Sequence, residues 1–167
     1  MKIVELCNVL RAELFNNGYE YGFIVDGKTY KPNMGNGFDN EYYHLAKTIS
    51  RVQDPAITKK EKIGTCIDTV LVMRQILDEY KVPSKIWLLY HKEKNKAHTV
   101  LTFEAEGKVV YLELTPQSSK PWYGKEIVCE NEQVFLKEQE NNGLEISDVT
   151  NSIIIGKRPY FLLEKLK

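Results

Sequence analysis

The chain has 167 residues, with 23 Lys plus Arg against 23 Asp plus Glu and hence a formal net charge of zero; 43% of its residues are hydrophobic. That length and composition fit one globular domain with a real core, and the charge balance gives nucleic acid or an anionic membrane no electrostatic hold. Three cysteines (Cys7, Cys66 and Cys129), widely spaced and without a CxxC pair, argue against a disulfide framework and a structural zinc site.

The opening MKIVELCNVLRAELFNNG has no apolar h-region, and no stretch reaches the roughly 18 apolar residues of a membrane span, so the expectation is a soluble, cytoplasmic chain without a membrane partner. Ile3, Leu6, Cys7, Leu10 and Leu14 recur at three- and four-residue spacing, which predicts an amphipathic helix over 3–15 that stops near Asn16-Asn17-Gly18. YGFIVDGKTYKP reads as two short strands around an Asp26-Gly27 turn. KPNMGNGFDN follows as a loop with Gly35 and Gly37 at its loosest points. Asp39 is placed to cap a helix through EYYHLAKTISRVQ, ending before Asp54-Pro55, and TKKEK reads as a solvated connection.

Residues 66–80 predict a helix that is apolar almost all round and is stopped at Val82-Pro83. KIWLLYH (85–91), HTVLTFEA (98–105) and KVVYLEL (108–114) are rich in β-branched and aromatic residues and read as strands, the last two joined by a tight Glu106-Gly107 turn. A polar helix around 130–140 and closing strands in SIIIG and PYFLLEKL complete an α+β chain.

The chemistry-bearing residues fall on this frame. Thr65 is a good N-cap and Asp68 lies three positions on, as in a capping box, so Cys66 takes the first helical position. Free N–H groups and the positive end of the helix dipole stabilise a thiolate there, and the same N–H groups can help hold an oxyanion. A thiolate nucleophile wants an imidazole, and the imidazole wants an acceptor that fixes its tautomer. His44 and His91 are expected at the surface, whereas His98 opens an apolar strand. With the turn at 106–107, facing residues sum to about 213, which makes His98 and Glu113 diagonal neighbours on one face. A metal site built from Cys66, His98 and Cys129 is a further reading, disfavoured by the scattered positions.

GTCIDTVLVMRQILDEYKVPSKIWLL followed by AHTVLTFEAEGKVVYLELTP resembles the core of the transglutaminase-like superfamily, relatives of the papain-like cysteine proteases, over residues 54–116. The shared pattern is a Gly-x-Cys heading a central helix, a Pro stop after it, a histidine starting one strand and an acidic residue ending the next. The resemblance implies a transglutaminase-like fold, its Cys-bearing helix packed on an antiparallel sheet, with 1–53 as an N-terminal extension and 117–167 as a C-terminal helix and closing strands. It also implies Cys66 as nucleophile, His98 as general base and acid, and Glu113 as the orienting carboxylate, Glu standing where the superfamily usually has Asp.

On that reading the chain is an acyl-transfer enzyme on amide bonds: protease, amidase, deamidase or transglutaminase. No Arg-Gly-Gly run precedes the cysteine, as an arylamine acetyltransferase would have; here the residues are Lys62-Ile63-Gly64. No cofactor fingerprint occurs in the sequence, so the expected partner is a peptide or protein substrate, with no cofactor and no metal. Gln53, Tyr42 and Tyr43 are candidates for an oxyanion donor, among which the sequence does not choose. Gln53 is also a candidate substrate contact; Trp122 is placed to roof the site, and Tyr30 and Phe38 to grip a peptide. The alternative is a catalytically inactive module that keeps the scaffold for binding.

Overall fold

A computed structural model describes residues 1–32, 40–116, 121–159 and 164. Among them are five α-helices and an antiparallel five-stranded sheet, an α+β arrangement. The sheet is made by β5 (Ser84–His91), β6 (Lys96–Ala105), β7 (Lys108–Leu112), β8 (Glu126–Cys129) and β9 (Glu145–Asp148), in the spatial order β8-β7-β6-β5-β9. Period-two alternation sends successive side chains to opposite faces. Ile86, Leu88, Leu101, Phe103, Val110 and Leu112 join one core, which also takes in α1 (Ile3–Glu13) and α4 (Cys66–Glu79). Trp87, Leu89, Val100, Val109 and Cys129 join a second, closed by Phe135 of α5 (Glu132–Asn141).

The β6–β7 turn fixes what matters for the site. Glu106 (φ 52°) and Gly107 (φ 70°) both take left-handed backbone, the requirement of a tight two-residue hairpin. The pairs that follow, Ala105–Lys108 through Thr102–Tyr111, keep the expected sum of 213. The register therefore brings the residues before Val100 beside those after Leu112.

The N-terminal third wraps this unit. α1 buries Ile3, Leu6, Cys7 and Leu10, the spacing read from the sequence. Its first N–H, on Ile3, donates to Glu106 Oε2 (2.9 Å). Near its other end Arg11 Nε donates to the carbonyl of Gly124 (2.7 Å) and Nη2 pairs with Glu126. β2 (Phe23–Val25) and β3 (Lys28–Tyr30) form the expected hairpin, with Asp26 and Gly27 both at positive φ. β1 (Glu20–Tyr21) pairs in parallel with β4 (Ile63–Gly64), a contact across some forty residues that local pattern does not announce.

Three expectations need correction. The helix expected through residue 53 is α2 (Asn40–Ile49), because the backbone of Val52 is taken by Gly156 and Lys157. TKKEK is no solvated connection. It belongs to α3 (Pro55–Glu61), where Asp54 accepts from the Ala56 N–H, Pro55 sits in the first turn and Thr58 is fully buried. SIIIG is a series of turns with Ile154 and Ile155 exposed; the sheet is closed by the polar edge strand β9. The proposed loop glycines Gly35 and Gly37, the Asp39 cap, Phe38 and most of PYFLLEKL lie outside the described residues.

Candidate active site

Cys66 is the first residue of α4, and the capping box read from the sequence is present. Asp68 Oδ2 accepts from the Thr65 N–H (2.9 Å) and the Thr65 hydroxyl (3.0 Å), while Thr65 Oγ1 faces the Asp68 N–H. Asp68 Oδ1 accepts from the Gln53 N–H (2.8 Å). Burial drives the Asp68 carboxyl up to about 6 against the pull of these hydrogen bonds. Gly64 sits close against the helix start, where a Cβ would crowd Asp68 Cβ and Thr58 Cγ2 at 3.0 Å from each. At its far end α4 stops with Lys81 in left-handed backbone, Val82 N–H on the Leu77 carbonyl and Lys81 N–H on that of Asp78, a Schellman stop built without glycine.

His98 Nε2 lies 2.9 Å from Glu113 Oε2, and the imidazole also hydrogen-bonds the Cys66 side chain. With Nε2 on the carboxylate, the nitrogen left for the sulfur is Nδ1. The three side chains expected from the sequence are thus in one hydrogen-bonded row: sulfur, imidazole, carboxylate. Burial works against charge on His98, but the Glu113 carboxylate and the Cys66 sulfur outweigh it and raise the imidazole well above its ordinary range. Glu113 is 3% exposed. Burial alone would raise it, yet His98 and hydrogen bonds from Thr115 and Tyr111 hold it below the usual carboxylate range. The carboxylate is fully engaged: Oε2 also accepts from the Tyr111 hydroxyl (3.0 Å) and Oε1 from the Thr115 N–H (3.3 Å).

The surrounding candidates separate. Gln53 is buried, with Nε2 donating to Thr58 Oγ1 (3.0 Å) and the Ile63 carbonyl (2.9 Å) and Oε1 accepting from the Ile24 N–H (2.9 Å). Both amide hydrogens are committed, so Gln53 ties β2, α3 and β4 together and has no donor for an oxyanion or a substrate. Tyr43 is close enough to Cys66 for the sulfur's charge to add to burial in raising its phenol. Tyr30 stacks on Phe23 (centroids 5.0 Å), Phe23 meets Tyr42 (5.7 Å) and Tyr42 meets Tyr21 (6.1 Å), a run of rings leading towards the helix start. Tyr21 reaches it: its phenol is hydrogen-bonded to the backbone of Cys66. Trp122 is 37% exposed on a turn whose Gly124 N–H donates to the Glu113 carbonyl (2.9 Å). Beside it, burial and then Glu113 push the Tyr123 phenol up to about 12.

Cys129 is packed in the α5-side core, and among the described residues no group of three His, Cys, Asp or Glu side chains is placed to hold a metal. His44 is exposed; His91 ends β5 beside the β5–β6 turn, its Nδ1 accepting from the Lys94 N–H (3.3 Å). A cleft of about 560 Å³ opens at the other end of β6, lined by Pro83, Lys85, Glu104 and Lys108 among others. It lies some seven residues along the strand from His98, roughly 23 Å, and two of its lysines are already paired, Lys85 with Glu132 and Lys108 with Glu130.

No protein-family model matches this chain, and no curated protein or solved structure does either. Among the described residues no helix is long and apolar enough to cross a membrane.

Proposed function

We propose that this chain is a cysteine-nucleophile acyl-transfer enzyme of transglutaminase-like fold, acting on amide bonds of peptides or proteins. The observation that carries the reading is the row from Cys66 through His98 to Glu113, set at the start of a buried helix.

In the first half-reaction the Cys66 thiolate adds to the amide carbonyl carbon, and the C=O π pair moves onto oxygen. The pair returns as the C–N bond breaks, and His98 gives its Nδ1 proton to the departing amine. The product is a thioester on Cys66. In the second half-reaction water, or another amine, loses a proton to His98 as it attacks the thioester and releases sulfur as thiolate. Glu113 keeps the proton on Nε2, so that Nδ1 is the nitrogen that exchanges protons with substrate.

The test is to trap the acyl-enzyme. After mixing with a peptide p-nitrophenyl ester and quenching in acid, mass spectrometry should find the acyl group on Cys66, with the adduct lost in Cys66→Ala and strongly reduced in His98→Ala. An adduct that forms equally in His98→Ala, or never on Cys66, leaves the chain as a binding module on the same scaffold.

A further inference from the structure

The reaction above requires donors for the oxygen that becomes negative as sulfur adds. The backbone N–H of Cys66 is one, and Gln53 is already committed. Tyr21 stands at the same place. β1 holds it there: Glu20 N–H donates to the Lys62 carbonyl (2.9 Å) and Gly22 N–H to the Gly64 carbonyl (3.2 Å), which sets Tyr21 opposite Gly64, two residues before Cys66. A Cβ on Gly22 would lie 2.6 Å from the Tyr30 carbonyl, so the strand can pass this close only as glycine. The Tyr21 ring is braced edge-on by Tyr42, itself buried, and its phenol oxygen accepts from the Cys66 N–H.

We propose that Tyr21 is a catalytic residue of this site, its phenol O–H and the Cys66 backbone N–H together donating to the substrate oxygen when the tetrahedral intermediate forms. The proposal rests on the Cys66–His98–Glu113 reading. At rest the two groups are bonded to each other; the substrate oxygen enters between them, taking the N–H from Cys66 and the O–H from Tyr21. A phenol can accept in one state and donate in the other. Tyr21 transfers no proton: the oxygen's extra pair returns to carbon when the C–N bond breaks, and the amine's proton comes from His98. Burial, and then the charge of Cys66, keep the phenol protonated and therefore a donor.

Two reactions of the same sulfur test this. Alkylation by iodoacetamide displaces iodide and develops no oxyanion; acylation by p-nitrophenyl acetate passes through one. Tyr21→Phe keeps the ring against Tyr42 and removes only the hydroxyl. The expected result is an acylation rate about a hundredfold lower with alkylation within about twofold of wild type. Acylation unchanged, both rates falling in equal proportion, or the acylation loss appearing in Tyr43→Phe in place of Tyr21→Phe each overturns the role of Tyr21. Wild-type Cys66 acylating no faster than free cysteine overturns the parent reading as well, and the wild-type measurement alone reports that.

Discussion

Replacing Glu113 by Gln changes one atom and breaks a set of contacts that only a carboxylate satisfies. Three donors converge on the wild-type side chain: His98 Nε2 and Tyr111 hydroxyl on Oε2, the Thr115 N–H on Oε1. An amide has one acceptor oxygen and must aim its NH2 at one side. If the NH2 faces Thr115, a buried N–H loses its acceptor, which costs about 1–3 kcal/mol. If it faces His98, Nε2 must become the acceptor, the proton moves to Nδ1, and the nitrogen meant to take a proton no longer can. In either case the charge that offsets burial of the imidazole is gone, so His98 titrates at lower pH than in wild type. A hydrogen bond to a charged group is worth about 1.5–3 kcal/mol, so turnover should fall by roughly ten- to a hundredfold if only that bond is lost in the transition state, and further if the tautomer inverts. The assay is the His98 ring-proton NMR titration in wild type and Glu113→Gln, alongside the rate of Cys66 acylation. An unchanged His98 titration would refute the reasoning, whatever happens to the rate.

Limiting iodoacetamide followed by peptide mapping should label Cys66 first: burial pushes the Cys7 thiol up to about 11, and it raises that of Cys129. Equal labelling of all three would mean that the site confers no selectivity. Gln53→Met keeps the side-chain length and removes three hydrogen bonds, which should lower unfolding free energy by about 3 kcal/mol at ~1 kcal/mol each; an unshifted urea midpoint would show that Gln53 is no tie. Glu113 is lowered and His98 raised in the fold. The carboxylate's contribution to stability is therefore present above the unfolded-state value near 4.3 and lost as pH falls through the lower folded value. That of His98 is complete below about 6.5 and lost as pH rises through its higher folded value. Urea midpoints across pH, compared with Glu113→Ala, should show both slopes flattened in the variant.

How far this was legible in the sequence depended on whether the signal was local. The hairpin register was readable because a two-residue turn at Glu106-Gly107 leaves one pairing, and the Thr102–Tyr111 pair follows from it. The start of α4 was readable because the Thr65 and Asp68 capping partners are three residues apart. The start of α3 was equally present in Asp54-Pro55, an N-cap followed by a first-turn proline, but three lysines after it read as solvent-facing loop. β8 and β9 are short edge strands, and the residues of β8 other than Cys129 are exposed, so they carry no clear alternation. Tyr21 was beyond reach: its place beside Cys66 depends on a parallel pairing of two residues with two, set by tertiary packing. Gln53 shows the reverse failure, a polar side chain near the start of α4 whose hydrogen-bonding groups are filled by partners that only the fold reveals.

The mooring of α1 makes it a splint along the hairpin. One end is pinned at the β6–β7 tip through Ile3 and Glu106; the other, through Arg11, holds the carbonyl of Gly124, whose N–H donates to the Glu113 carbonyl. Its eleven residues span about 16 Å, so a shift at its first turn is carried to the strand end bearing the carboxylate. Loss of the bond between Ile3 and Glu106 therefore acts on the alignment of His98 from the opposite end of the sheet.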